Sequence, residues 1–303
     1  MPRAFPRAER GPSDSVLLTT VRVEPPSPRP LPPSEKSSRV DAATLATAAD
    51  RLLGAYASGK PIDPLTTTYE GMDLDDAYEV QLLQIRSLVA GGRRVKGHKV
   101  GLTSVAMQKQ LGVDQPDYGH LLDSFFHLEH VAIPAGHFLQ PRIEPEIAFV
   151  LKRPLRGPGV TVHEALAAVD FVLPALEIVD SRIADWKIGL LDTIADNASS
   201  GGVVLGSTPT DVSAVDLRLT GCTFHRNGTL FATGAGGAVL GSPLNSLVWL
   251  ANTVGALGIT LEAGHVVLPG SVTAMAVVEP GDTFTATFAG LGSVTARFAK
   301  ETS

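Results

Sequence analysis

The chain has 303 residues, a formal net charge of −6 and a single cysteine, Cys222. Hydrophobic residues make up 44% of it and charged residues 18%, which is ordinary for a globular protein with a sizeable core. The acidic balance excludes a general affinity for nucleic acid or an anionic membrane surface, and no apolar run is long enough to span a bilayer. One cysteine excludes an intrachain disulfide and a multi-cysteine zinc site, and it favours a reducing cytoplasm.

Residues 1–38 differ in composition from the rest of the chain. Prolines concentrate there, as in EPPSPRPLPPSEKSS, and such a stretch forms neither a regular element nor a packed core. The apolar stretch VLLTTVRV is too short and too interrupted for a secretory signal. We therefore expect a disordered tail, or a start codon assigned too far upstream, followed by a single domain over residues 39–303.

The domain opens with two helical patterns. Asp41 is a suitable N-cap for a first helix, whose apolar residues recur at helical spacing until Gly59. A second helix is predicted to start after Asp73 and to stop at the pair Gly91 and Gly92. The folded chain is therefore predicted to begin with two helices before the first strand.

Strand signals take over further along the chain. VKGHKVGLTS is predicted to be a strand, and Thr103 or Ser104 can cap a short helix in VAMQKQLG. The dipeptide Asn227-Gly228 predicts a hairpin turn. Beyond residue 130 we predict strands at 143–151, 172–180, 202–206, 216–225, 229–232, 265–268, 272–278, 283–288 and 293–298, with helices at 163–170 and 243–257. A helical part over about 39–130 and a β-rich body over 131–303 together predict an α+β fold.

The stretch PRIEPEIAFVL places two acids in what is otherwise a buried strand. Side chains alternate faces along a strand, so Glu144 and Glu146 point the same way, with Cα atoms about 6.5–7 Å apart. At that separation both carboxylates can converge on one cation. The alternative is a half-solvated edge strand that shows its polar face to water.

A third acid, Glu177, lies in the apolar segment PALEIVDSR. An ionised glutamate is costly to bury unless it is paired or bound to a metal. Three carboxylates without a Cys or His cluster would form a hard oxygen site of the kind that Mg²⁺ or Mn²⁺ occupies. The alternative is a buried ion pair of Glu177 with Arg142 or Arg182, and the residues alone leave both interpretations open.

Seven segments, taken in order along the chain, resemble the 2-keto-4-pentenoate hydratase family of the fumarylacetoacetate hydrolase superfamily. They are GHKVGLTS, LGVDQPDYGHLLDSFF, PRIEPEIAFVL, PALEIVDSRIADWK, DTIADNASSGGVVLG, GAVLGSPLNSLVWLAN and VVLPGSVTA. The resemblance runs from about residue 41 to 299 and omits only the proline-rich tail. It implies an N-terminal helical portion and a mostly β, rolled-sheet C-terminal body, with a divalent metal held by the two acids of the ExE pair and a later glutamate. Those positions are Glu144, Glu146 and Glu177.

The resemblance also implies that Lys99, Asp117 and Ser199 are active-site residues. A metal beside Lys99 would lower the pKa of its ammonium, and Asp117 could orient that group or activate water. Taken alone, Lys99 is better explained as a surface lysine on a strand edge, and Asp117 could equally be a turn residue after Pro116. Ser199 could belong to an ordinary turn, and Ser200 and Asn197 are weaker candidates for the same role.

Two further residues invite a function but are better explained by structure. His98 would face away from Lys99 in a strand, so we interpret it as a structural residue. Arg182 could bind a substrate carboxylate, although an ion pair with Asp180 or Asp185 is the simpler expectation.

The family implies a hydratase that converts 2-hydroxypenta-2,4-dienoate, or a homologue, into 4-hydroxy-2-oxopentanoate in the meta-cleavage degradation of aromatic compounds. Its substrate would be a small 2-hydroxydienoate or 2-oxo acid. The competing interpretations are a 4-oxalocrotonate decarboxylase of the same family, an acylpyruvate-type C–C hydrolase that would need a histidine base, and a non-catalytic partner subunit. The family also implies a homo-oligomer and a complex with the next enzyme of the pathway. Helix 243–257 is apolar on more than one side, so we expect it at a subunit contact.

Overall fold

The computed structural model describes residues 40–104, 108, 113 and 115–300. The predicted tail at 1–38 and almost all of the predicted helix VAMQKQLG lie outside the described residues. Among the residues that are described, none of the helices has the length and apolar character that crossing a membrane requires.

Three helices open the described chain: α1 (Ala42–Ser58), α2 (Leu65–Thr68) and α3 (Leu74–Ala90). The carboxylate of Asp41 accepts hydrogen bonds from the backbone N–H groups of the first turn of α1, and Gly59 ends that helix with a φ of 65°. Both boundaries confirm the sequence prediction.

The N-terminal helices share an apolar cluster with a later helix, α5 (Leu190–Ala195). Asp73 and Asp76 begin α3 with a reciprocal capping box, which satisfies two backbone donors at that end. Leu52 of α1 and Val80 of α3 are fully buried in the cluster. This packing brings the segment after α5 against the large sheet, where several candidate site residues lie.

The body contains a large mixed sheet whose strand order is β2-β1-β10-β5-β6-β7-β3, with β11 also paired to β5. Pairs β1–β10 and β3–β7 are parallel, and the remaining neighbours are antiparallel. The bounds are β1 (Val95–Gly101), β2 (Asp117–Leu122), β3 (Phe126–His127), β5 (Pro141–Leu151), β6 (Val169–Asp180), β7 (Ser200–Leu205), β10 (Val266–Leu268) and β11 (Ala276–Val277).

A smaller sheet of five strands has the order β4-β13-β12-β8-β9. Its bounds are β4 (Ala132–Ile133), β8 (Gly221–Arg226), β9 (Thr229–Ala235), β12 (Thr283–Phe288) and β13 (Gly292–Phe298). Asn227 and Gly228, with φ values of 52° and 80°, form the predicted turn between β8 and β9. The main apolar core contains side chains of both sheets. N-terminal helices followed by a curled, mixed-sheet body confirm the predicted α+β fold.

Two predicted strands are shorter in the structure. The stretch 216–225 becomes a strand only at Gly221, because the backbone carbonyl of Asp216 accepts N–H groups from Leu219 and Thr220 in a turn. The stretch 272–278 is a strand only at β11, although Val272 and Val278 also donate backbone hydrogen bonds to Pro145 and Pro141 of β5. The predicted helices at 163–170 and 243–257 are present as α4 (Val162–Ala168) and α6 (Pro243–Ala256).

Candidate active site

The three acids predicted from the sequence lie side by side in the middle of the large sheet. Glu144 and Glu146 come from β5, and Glu144 is the direct cross-strand partner of Glu177 on β6. One carboxylate oxygen from each of the three lies within 4.8 Å of the others. Because β5 is paired with β10 and β6, it is a central strand, and the interpretation as a half-solvated edge strand is wrong.

Burial makes this acidic group costly in the absence of a cation. Glu146 and Glu177 are completely buried, and Glu144 is partly exposed. Burial and the charge of Glu177 raise the pKa of Glu144 to about 7. Burial also raises the pKa of Glu177, and burial together with the two neighbouring carboxylates raises the pKa of Glu146 well above its usual range. Like charges directly opposite one another destabilise a sheet, so this arrangement calls for a positive partner.

The carboxylate oxygens that face one another are mostly free to accept a ligand. The backbone N–H of Gly270 donates to Oε2 of Glu146 at 2.7 Å, which fixes that side chain and leaves its Oε1 free. Within the described part of the chain, Oε1 of Glu146 and Oε2 of Glu177 have no hydrogen-bond partner, and Oε1 of Glu177 faces the ammonium of Lys99. A hard divalent cation, which prefers carboxylate oxygens, fits this donor set.

Lys99 of β1 points into the same group. Its Nζ lies 3.3 Å from Oε1 of Glu177 and donates a hydrogen bond to the carbonyl oxygen of Ala198 at 3.0 Å. Burial alone would lower the pKa of Lys99, but the four carboxylates around it, Glu177 first, outweigh burial and raise that pKa above its ordinary value. This direction holds for the protein groups without a cation; the lower pKa expected from the sequence concerns Lys99 beside a bound metal and stays a prediction.

Asp117 begins β2 directly opposite Gly101, the last residue of β1. Its side chain is buried, its Oδ1 has no hydrogen-bond partner among the described residues, and burial raises its pKa. A Cβ at Gly101 would lie 2.1 Å from that Oδ1, so only glycine leaves room for the carboxyl. Asp117 is therefore held close to the ammonium of Lys99, whose charge partly offsets the effect of burial.

Ser199 lies on the cavity wall in a short turn between α5 and β7. Its Oγ donates to Oδ2 of Asp196 at 3.3 Å. The weaker candidates are turned to other partners: Oγ of Ser200 donates to the carbonyl of Asn197, and the Asn197 side chain bonds the backbone of His120. Only Ser199 of these three candidates lines the cavity.

A cavity of about 280 Å³ connects these groups. Lys99, Asp117, Glu144 and Ser199 line it, so the structure brings the three predicted catalytic residues and one predicted metal ligand to a common space. Glu146 and Glu177 lie behind this wall, each with a carboxylate oxygen within 4.8 Å of one from Glu144, and Glu177 pairs with Lys99.

One wall of the cavity was not anticipated. Trp186 and Met275 line it, as does Ser271 from the loop after β10. The guanidinium of Arg142 lies 4.2 Å from the ring centroid of Trp186. Trp186 and Ser271 fall within the segments DSRIADWK and LPGSVTA, which carried the family resemblance, and that is the signal by which they could have been found.

The remaining expectations for charged residues need correction. Arg182 pairs with Asp196, not with Asp180 or Asp185, because the turn after α5 brings the Asp196 carboxylate directly onto the guanidinium. Since Arg182 has this partner and Glu177 has Lys99, the suggested pairs of Glu177 with Arg142 or Arg182 do not form.

His98 has the structural position expected of it. It is buried on the face of β1 opposite to Lys99, with its ring 4.8 Å from the ring of His120. It does not line the cavity.

Comparison with known proteins gives a consistent result. The family model for the C-terminal region of fumarylacetoacetate (FAA) hydrolases matches residues 103–299. The 2-keto-4-pentenoate hydratase of Paraburkholderia xenovorans (strain LB400) is 50% identical over 251 residues, which cover 83% of this chain and 93% of the relative. The 2-hydroxyhexa-2,4-dienoate hydratase of Comamonas testosteroni is 43% identical over 254 residues, or 83% of this chain and 96% of the relative.

A solved structure is similar over nearly its whole length. The 4-oxalocrotonate decarboxylase from Pseudomonas putida G7, complexed with magnesium and adipate, has a TM-score of 0.83 at 37% identity, covering 86% of this chain and 98% of that one. The chain belongs to the fumarylacetoacetate hydrolase superfamily and, within it, to the 2-keto-4-pentenoate hydratase family. The family predicted from the seven sequence segments is confirmed.

Proposed function

We propose that this protein is a metal-dependent hydratase that adds water to 2-hydroxypenta-2,4-dienoate, or to a homologue, and forms the corresponding 4-hydroxy-2-oxo acid. One observation carries the proposal: in a chain that is 50% identical to a hydratase, three carboxylates converge beside the ammonium of Lys99 at one cavity. A volume of about 280 Å³ suits a small organic acid. The reaction would belong to the meta-cleavage degradation of aromatic compounds.

Glu144, Glu146 and Glu177 are the residues that would hold the cation, and we propose Mg²⁺ or Mn²⁺ because both prefer oxygen ligands. Bound there, the ion would act as a Lewis acid for the 1-carboxylate and 2-oxygen of the substrate. Gly270 would keep Glu146 in place, since its N–H binds Oε2 of that carboxylate and leaves Oε1 without a hydrogen-bond partner.

Side chains of the protein would transfer the protons. Ketonisation takes a proton from the 2-hydroxyl and delivers one to C-5, which leaves a double bond between C-3 and C-4 conjugated to the 2-oxo group. Water then adds its hydroxyl to C-4 and a proton to C-3. Asp117 has a free oxygen and a raised pKa, so we assign it the role of proton acceptor from the 2-hydroxyl or from water.

Lys99 and Ser199 have different roles in this proposal. The carboxylates around Lys99 favour its charged ammonium, so we assign it the stabilisation of negative charge on the substrate oxygen. Ser199 lines the cavity, so we assign it to the substrate carboxylate; its hydroxyl, which donates to Asp196 in the structure, would turn to donate to the substrate.

The test is a pair of substrates given separately to the purified protein with Mg²⁺: 2-hydroxypenta-2,4-dienoate and 2-oxohex-3-enedioate. We expect loss of the dienoate absorbance with the first and no release of CO₂ from the second. Release of CO₂ from the second, without turnover of the first, would assign the protein as a decarboxylase. Glu144→Gln should abolish the activity, whereas Glu262→Gln, an exposed acid remote from the cavity, should preserve it.

A C–C hydrolase and a non-catalytic subunit have less support. None of the described residues that line the cavity is a histidine, and a C–C hydrolase would need a histidine base. A non-catalytic subunit is expected to have lost part of the acidic trio, and the trio is intact.

Self-association remains a prediction. Strand β9 is the edge of the smaller sheet, contains no charged residue and exposes Leu230 and Phe231, a combination that favours contact with a second copy. Helix α6, which we expected at such a contact, places most of its apolar residues in the chain's own core. A cytoplasmic location and a complex with the next enzyme of the pathway also remain predictions.

A further inference from the structure

The turn that carries Ser199 has an unusual backbone. Asn197, Ala198 and Ser199 have φ values of 52°, 50° and 53°, so three consecutive residues other than glycine adopt the left-handed region. That region is disfavoured for L-residues because the Cβ atom crowds a carbonyl oxygen, and it is normally visited by single residues. Such a run persists only where the surroundings hold it, and it is often found where function needs a fixed geometry.

The side chain of Asn197 is what holds the turn to the sheet. Its Oδ1 accepts the backbone N–H of His120 at 2.8 Å, and its Nδ2 donates to the backbone carbonyl of His120 at 2.9 Å. Gly119 makes room for the approach, since a Cβ there would lie 2.4 Å from the carbonyl oxygen of Asn197. The amide of Asn197 is thus committed to strand β2 and is not directed at the cavity.

This arrangement fixes the position of one carbonyl group, that of Ala198. Lys99 is the cross-strand partner of Gly119, so the turn lies above the strand pair from which Lys99 projects. From there the carbonyl oxygen of Ala198 accepts a hydrogen bond from Nζ of Lys99 at 3.0 Å. With Glu177 at 3.3 Å on the other side, the ammonium has one neutral and one acidic partner.

We propose that Asn197 is a positioning residue: by clamping the left-handed turn to β2, it aims the Ala198 carbonyl at Lys99 and keeps the ammonium at the cavity. This inference rests on the proposed function for its kinetic consequence only. Without the clamp the turn relaxes toward right-handed backbone angles, the carbonyl turns away, and Nζ moves toward the acidic group behind the wall.

The chain offers a matched control. Asn252 on α6 makes the same two-point clamp on the backbone of Val160, with distances of 2.7 and 3.0 Å, and no residue of that clamp lines the cavity. Asn197→Ala and Asn252→Ala therefore remove the same two hydrogen bonds in two different places. A role in stability alone predicts that the two variants behave alike.

The experiment compares both variants with the wild type in Tm, in kcat and KM for 2-hydroxypenta-2,4-dienoate with Mg²⁺, and in acetylation of Lys99 by acetic anhydride, measured by peptide mass spectrometry. We expect similar losses of Tm. For Asn197→Ala alone, we expect kcat to fall about 10- to 100-fold with KM changed less than about threefold, and the acetylation rate of Lys99 to change severalfold. Equal kcat values and equal Lys99 labelling in the two variants would overturn the proposal.

Two further provisions allow the experiment to decide the question even if the first variant does not fold or the wild type is inactive. If Asn197→Ala does not fold, Asn197→Gln keeps the amide donor and acceptor but displaces them by one methylene from the His120 backbone, and the same kcat and labelling changes are expected. If the wild type does not turn over the dienoate, the proposed function fails, but Lys99 labelling still decides the positioning role, because it needs no substrate.

Discussion

Glu144 and Glu177 face each other directly across two antiparallel strands, with Lys99 against the second of them. In the absence of metal this pair repels, so Glu144→Gln should raise the metal-free Tm at pH 8 while abolishing the increase in Tm that Mg²⁺ causes in the wild type. At 100 times its Kd, a ligand specific for the native state adds about 2.7 kcal/mol of stability. Thermal melts with and without Mg²⁺ measure both effects, and Glu262→Gln should melt like the wild type under both conditions.

The stabilisation by Mg²⁺ should depend on pH. The pKa of Glu144 is about 7 in the folded protein, against a usual value of 4.5, so between these pH values the folded state binds more protons than the unfolded state. Its stability without metal therefore contains a contribution that is present below pH 4.5 and is lost as the pH rises through 7. Because a cation binds the ionised carboxylates, the Mg²⁺-induced shift in Tm should grow from pH 5 to pH 8.

Buried histidines act in the opposite direction, and the experiment must separate the two effects. Burial lowers the pKa of His120 to about 4 and also lowers those of His98, His127 and His265. Their contribution to stability is complete above pH 6.5 and declines as the pH falls. It is the same with and without Mg²⁺, so the difference between paired melts isolates the carboxylates. An equal Mg²⁺ shift at pH 5 and pH 8 would contradict the prediction.

Lys99→Met should separate catalysis from metal binding. Removing the ammonium takes away charge stabilisation of the substrate, and kcat is expected to fall at least about 100-fold. The same change removes a positive charge beside Glu177, so the affinity for Mg²⁺ should stay the same or increase. Calorimetric titration with Mg²⁺ and steady-state kinetics test the two halves. Weaker Mg²⁺ binding would show that Lys99 organises the acids and does not act on the substrate.

The ion pair of Arg182 and Asp196 should matter for folding. Both side chains are buried, and the guanidinium also donates to the hydroxyl of Tyr56. Losing one partner leaves an uncompensated buried charge, so Arg182→Met is expected to cost about 3–5 kcal/mol of unfolding free energy. Urea denaturation measures this loss. The exposed pair of Arg86 with Glu79 provides the comparison, where Arg86→Met should cost less than about 1 kcal/mol.

Local features of the sequence predicted local features of the fold well. Asp41 and Gly59 bound the first helix because a cap and a left-handed stop act through neighbouring residues. The side-by-side direction of Glu144 and Glu146 follows from strand alternation alone. The alternation of side chains along one strand does not predict the register between two strands, because register depends on contacts between residues distant in the chain. The direct opposition of Glu144 and Glu177 is therefore visible only in the folded sheet.

The same limit explains the errors at charged residues. Arg182 was expected to pair within two or three residues in sequence, but its partner Asp196 arrives through the turn after α5. The expectation for the pKa of Lys99 concerned a bound metal, and it did not include the four carboxylates that β2, β5 and β6 bring around the ammonium. Both outcomes depend on charges that distant segments supply.

The acids and the apolar wall of the cavity belong to different parts of the architecture. The acids project from two long, central strands, whereas Trp186 and Met275 belong to connections outside the strands. Substitutions in those connections can reshape the space beyond the reacting end of a ligand and leave the charged centre intact. A scaffold divided in this way can come to bind different organic acids through substitutions at a few positions of the cavity wall, while the residues that carry out the reaction stay the same.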